Sequence, residues 1–156
     1  MSSRTSFGWK RPRVRSTAVA LFAVAVLSTA AVAIARSFTI AAFAVRVAGR
    51  SERIAVDSAG VAVYVLSPET ARHLLCTQSS GCFSVWPPVK VGAGARLTKA
   101  RGVQGRVGTI RRDGFTQLTL GGHPLYTFAP DGRRRGVATG NGIQSFGGTW
   151  RVITER

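Results

Sequence analysis

Alternation of apolar and polar residues marks most of the chain beyond residue 43, and an unbroken apolar run precedes it. Phe43, Val45 and Val47 share one side of a strand, with Arg46 on the other. Ile54 and Val56 lead into an Asp57-Ser58-Ala59-Gly60 turn, and Val61, Val63 and Val65 alternate away from it, which predicts a hairpin. Ser67-Pro68 stops that strand, because proline cannot donate to a ladder. Thr70–Leu75 is expected to form one short helical turn. Trp86-Pro87-Pro88 then pins the end of a first unit, and Lys90–Val103 reads as an exposed connection.

A second unit follows. Val107, Thr109 and Arg111 alternate against Gly108 and Ile110. Arg112-Asp113-Gly114 forms a turn, and Phe115, Leu118 and Leu120 belong to the return strand. Gly121-Gly122 makes another tight turn, and His123–Phe128 continues as a strand with Pro124 at its tolerant start. Ala129–Asn141 is a loop, and Gly147–Thr154 closes the chain with Trp150 and Val152 on one face. The two units align. Val63-Tyr64-Val65-Leu66-Ser67-Pro68-Glu69 matches Leu125-Tyr126-Thr127-Phe128-Ala129-Pro130-Asp131, and Trp86 matches Trp150. The expected fold is all-β: two related antiparallel hairpin units, residues 45–89 and 106–154, packed as one small domain and preceded by an N-terminal hydrophobic helix.

Charge changes the picture at the N-terminus. The chain carries 22 Lys and Arg against 6 Asp and Glu, a formal net charge of +16. Five of the cations lie in residues 1–16, and no acid precedes Glu52. A basic segment followed by the uncharged run Thr17–Ala35 is an export signal. Ala33-Ile34-Ala35 offers a cleavage site, whereas nineteen uncharged residues, with only Thr17, Ser28 and Thr29 polar, also suffice to span a bilayer. Either outcome places residues 45–156 outside the cytoplasm, after a linker over 36–44. No cysteine lies near the end of the run, so a lipid anchor on cysteine is not available. The cationic excess of the exported part favours anionic surfaces. Arg111, Arg112, Arg133, Arg134 and Arg135 are the candidate contacts. Export argues against nucleic acid as the partner.

Candidate chemistry is sparse. Cys76 and Cys82, the only cysteines, flank a short polar loop, and outside the membrane such a pair forms a disulfide. The alternative is a metal or redox site joining His73 to the two sulfurs. A c-type haem site would need Cys-x-x-Cys-His, which is absent. A hydrolytic triad would have to use His73 or His123, with Ser145 and Asp131 as partners, but no Gly-x-Ser-x-Gly elbow accompanies them. Asp131 is read as a turn residue whose carboxylate takes backbone N–H groups, or as one carboxylate of a polar-ligand site shared with Glu69. Tyr64, Tyr126, Phe128, Trp86 and Trp150 are expected in the core. Gly140–Gly148 lacks the lysine and helix of a phosphate-binding loop. No cofactor is expected.

Tyr126-Thr127-Phe128-Ala129-Pro130-Asp131, within Gly122-His123-Pro124-Leu125-Tyr126 and ahead of Phe146-Gly147-Gly148-Thr149-Trp150, resembles the bacterial secreted-repeat proteins, which carry a Tyr-x-aromatic-x-x-Asp motif. In the first unit, Cys76, Cys82 and Trp86-Pro87-Pro88 match the family's paired cysteines before Trp-Pro-Pro, while Leu66 and Glu69 depart from its aromatic and aspartate. The resemblance implies an exported, envelope-associated protein of unassigned biochemistry. Together these readings predict a non-enzymatic module held at the membrane or at anionic envelope material.

Overall fold

The computed structural model describes residues 39–155. The hydrophobic segment 17–35 and its basic flank lie outside the described residues. Among the described residues the fold has nine short strands, paired antiparallel in three sheets. β1 (Ile40–Val47) pairs with β2 (Arg50–Asp57). β3 (Tyr64–Ser67) pairs with β9 (Gly148–Val152), which also carries β8 (Gln144–Ser145). β6 (Phe115–Leu120) takes β4 (Lys90–Val91), β5 (Val107–Arg112) and β7 (His123–Pro124).

Two-residue turns with positive φ at both positions close these hairpins. Asp113-Gly114, φ 46° and 78°, joins β5 to β6, where the sequence predicts it. Ala48-Gly49, φ 47° and 84°, joins β1 to β2 in the same way. Such turns follow the right-handed twist of the flanking strands. Alanine is an unusual occupant, which is why this turn carries no sequence signal.

β1 starts at Ile40, inside the stretch expected to be a linker. Its two faces explain the difference. Ile40 and Ala42 join Ala55 in one core cluster, and Val45 and Val47 join Ile54 and Val56 in the other. A ribbon buried on both faces reads as a continuous apolar run and loses its alternation. Phe43 sits on the expected face but is 51% exposed.

The Asp57–Gly60 turn is present. Asp57 Oδ1 accepts from the Ala59 and Val61 amides, both at 2.9 Å. The predicted hairpin nevertheless ends at a Val56–Ala62 bridge, and β3 pairs with β9 instead of β2. Thr70–Leu75 is not helical. Thr70 and His73 exchange backbone hydrogen bonds across a tight turn, and Thr70 Oγ1 accepts from the His73 amide. A side chain that captures local N–H groups competes with a helix. Helix α1 (Cys82–Val85) supplies one turn before Trp86. Lys90–Val103 is only partly a connection: β4 extends the β6 sheet, Thr98 and Lys99 lie along the start of β1, and Val103 is buried.

The two sequence units are interleaved rather than set side by side. Tyr64 and Tyr126 lie opposite each other, with mutual N–H···O bonds of 2.8 and 3.0 Å. From that point, the tyrosine strand of the first unit pairs with the tryptophan strand of the second, Leu66 opposite Trp150. The tyrosine segment of the second unit meets the end of the first. The Thr127 amide donates to Pro87 O, and the Val89 amide to Leu125 O, both at 2.9 Å.

Candidate functional site

The motif residues converge on the junction of the two units. Trp86 and Trp150 stack with ring centroids 3.8 Å apart and planes 6° from parallel. Tyr64 meets Trp86 edge-on at 5.4 Å, and Tyr126 meets Trp150 edge-on at 5.1 Å. Phe128 stacks on the far side of Trp86 at 4.4 Å. All five are buried, as expected. Gly140 lies so close beneath this stack that a Cβ there would come within 2.7 Å of the Trp86 ring.

Each acid serves the tyrosine of the other unit. The Tyr64 hydroxyl donates to Asp131 Oδ2 at 2.5 Å. Asp131 Oδ1 accepts from the Thr139 amide at 3.0 Å and from the Thr139 hydroxyl. The carboxylate therefore fixes the polar loop that follows its own strand. In the other half, the Tyr126 hydroxyl faces the Glu69 carboxylate. Glu69 Oε1 accepts from the Leu75 and Cys76 amides at 2.9 and 3.0 Å, while Oε2 is buried without a hydrogen bond of normal geometry. Burial pushes the Glu69 carboxyl up, against the opposing pull of its backbone donors. Burial also raises both tyrosine hydroxyls, each helped by the negative charge beside it. The two acids thus occupy separate networks and share no ligand site.

The expected arginine cluster divides. Arg111 is exposed on β5, and Arg133, Arg134 and Arg135 are exposed in their loop. Arg112 is not a surface contact, because its side chain is only 5% exposed. Its guanidinium donates to Cys76 O at 2.6 Å, to the Tyr126 hydroxyl at 3.2 Å and to Asp113 Oδ2 at 3.1 Å, and it lies over the Phe83 ring. A cation with this many acceptors is a structural clasp between the β5–β6 turn and the cysteine loop. The alternation of β5 could not reveal it, because the partner carbonyl lies 36 positions earlier.

Cys76 and Cys82 are bonded to each other, with Cα atoms 5.3 Å apart. The expected disulfide is therefore present, and with both sulfurs spent the alternative three-ligand site with His73 does not form. The hydrolytic constellation is also not assembled. His123 Nδ1 bonds Glu69 O at 2.7 Å, and Ser145 Oγ accepts from Trp150 Nε1 at 3.0 Å. Asp131 is committed to Tyr64 and Thr139.

Residues 108–154 match a family described as a secreted repeat of unknown function. The matched span is the second unit, from β5 to the end of β9, and it contains Tyr126, Phe128, Asp131 and Trp150. No curated protein and no solved structure matches the chain. Within the secreted repeat, the Tyr-x-aromatic-x-x-Asp motif is read by the structure as a core device: an aromatic stack and a buried carboxylate. The carboxylate, however, grips a tyrosine from outside the matched span. No helix among the described residues is long and apolar enough to cross a membrane.

Two clefts open beside this core. The first, of about 290 Å³, is lined by Asp57, Ser58, Val61, Pro88, Val89, Thr127 and Arg133 among others. The second, of about 500 Å³, is lined by Val65, Ser67, Leu120, His123, Arg151 and Ile153 among others. Sequence reasoning singled out neither as a cleft, because each draws on strands from both units.

Proposed function

We propose that this protein is an extracytoplasmic, non-enzymatic binding module whose basic surface contacts anionic polymer of the cell envelope. One observation carries the reading: the described residues bury half of their acids and expose nearly all of their cations. Of the 22 Lys and Arg, six precede residue 39 and Arg156 follows the described span, leaving fifteen. All six acids lie within that span, but Glu69, Asp131 and Glu155 are buried. Of the other three, Asp113 is paired with Arg112, Asp57 caps its own turn and Glu52 is half-buried. Among the described cations, Arg112 alone is not exposed; Arg134 and Arg135 donate to backbone carbonyls but stay at the surface with Arg111 and Arg133. A surface so short of negative charge attracts polyanions over roughly a Debye length. The match to a secreted repeat supports a location where such polymers are found.

Retention on beads carrying poly(glycerol phosphate) tests the proposal, with the full chain held in neutral phosphatidylcholine nanodiscs. Strong retention at about 50 mM salt that is lost by about 500 mM is expected, because screening shortens the reach of surface charge. Replacing Arg133, Arg134 and Arg135 together by glutamine is expected to lower the salt concentration needed for release. Equal retention on uncharged dextran beads, or retention indifferent to salt, would overturn it.

A further inference from the structure

The two clefts are lined by corresponding positions of the two sequence units. Aligning the units on Tyr64 and Tyr126 sets Val61 against His123 and Val65 against Thr127. Aligning them on Trp86 and Trp150 sets Pro88 against Val152 and Val89 against Ile153. Every one of these residues lines one cleft or the other. The two grooves differ in chemistry at these positions.

At two aligned positions the larger groove carries a polar side chain where the first unit has an apolar one. His123 stands where the other groove has Val61, and Arg151 stands where the first unit has Pro87. Arg151 lies opposite Val65 across the β3–β9 pair and is exposed, and its side chain makes no hydrogen bond or ion pair among the described residues. No acid lines the groove. The nearest one in sequence, Glu155, is buried and accepts from the Gln104 amide at 2.6 Å. His123 Nδ1 must be the protonated nitrogen, because its partner, Glu69 O, can only accept. Nε2 is then the ring nitrogen left for a ligand, and in the neutral imidazole it accepts a hydrogen bond. Val65, Leu120 and Ile153 supply an apolar wall.

We infer that the groove between Val65, His123 and Arg151 binds a small carboxylic acid with an amide or hydroxyl at its α-carbon and an apolar substituent. The carboxylate pairs with the planar guanidinium fork of Arg151. The α N–H or O–H donates to His123 Nε2, and the apolar substituent lies on Val65, Leu120 and Ile153. The volume is within the range of pockets that enclose small ligands. This site is separate from the polyanion surface, since it takes one carboxylate in one groove.

N-trifluoroacetyl-leucine carries all three features and a fluorine reporter. Its 19F line width would be followed against the full chain in phosphatidylcholine nanodiscs, with empty nanodiscs as baseline. Saturable broadening is expected, with affinity falling at least tenfold in Arg151→Gln and lost in Val65→Phe, which fills the groove. The methyl ester, lacking the carboxylate, is expected to bind wild type and Arg151→Gln alike. Arg50→Gln, which removes an exposed cation remote in sequence from the groove's lining, is expected to change nothing. Three results would overturn the inference: no saturable broadening, equal affinity in Arg151→Gln, or an equal loss in Arg50→Gln, which would mean diffuse charge attraction.

Discussion

At the scale of single residues, the two buried acids are not equivalent, and their amide variants separate them. Asp131 takes three donors, from Tyr64 and twice from Thr139. An asparagine turns one oxygen into a donor facing donors. Asp131→Asn is expected to cost about 2–3 kcal/mol, read from the urea midpoint. Glu69 uses one oxygen for two backbone amides and leaves the other without a bond of normal geometry. Glu69→Gln keeps that acceptor and removes a buried charge. Because burial raises the carboxyl above its unfolded value, the native state holds this proton more tightly than the unfolded chain. The resulting stabilisation is full below the unfolded pKa and is lost as pH rises through the folded one. Urea unfolding is therefore expected to show wild type and Glu69→Gln close together at low pH, with the variant gaining on wild type as pH rises through the folded pKa. A constant gap would contradict this account. The sequence named both acids as motif positions, but their partners were not legible. Each faces a tyrosine more than fifty residues away, and residue type does not encode that pairing.

At the scale of elements, the β3–β9 pair sets the limits. Gly148 lies next to Thr149, the partner of Ser67, and a Cβ there would fall 2.2 Å from the Ser67 carbonyl oxygen. Gly148→Ala is expected to cost roughly 3 kcal/mol or more, since backbone must move. The opposite outcome is expected at the β1–β2 turn. Ala48 is held at φ 47° beside Gly49, and Ala48→Asn supplies the residue this turn prefers. A gain of about 0.5 kcal/mol in thermal or urea unfolding is expected. The contrast explains what was readable. Asp113-Gly114 and Gly121-Gly122 announce their turns by composition, whereas Ala48-Gly49 does not. The alternation in β2, β5 and β9 gave strands where strands are found. Which strand pairs with which was not readable, because β3 leaves its sequence neighbour for one about eighty residues downstream.

At the scale of the whole molecule, the Cys76–Cys82 disulfide fastens a loop that Glu69 and Arg112 both hold. The Cys76 amide donates to Glu69 and its carbonyl accepts from Arg112. A bridge across six positions removes little chain entropy, so Cys76→Ser with Cys82→Ser is expected to cost about 2 kcal/mol. Part of the loss is expected to appear locally, as faster amide exchange at Leu75 and Cys76. The interleaving has a larger effect. β3 finds its strand partner only in β9, and Trp86 stacks on Trp150, so residues 36–104 and 105–156 made separately are expected to stay unfolded. Mixed after joint refolding, they are expected to regain the near-ultraviolet signal of the stacked tryptophans. A folded, monomeric 105–156 fragment would show that the exchange between units is dispensable.

The crossed pairing of acids and tyrosines also bears on descent. Two copies that each satisfied their own tyrosine could drift apart as independent paragraphs of one text. Here each copy holds the other's missing word. A change at Tyr64 has to be answered at Asp131, and a change at Tyr126 at Glu69, never within the same copy. Across relatives, those crossed pairs are the ones expected to change together.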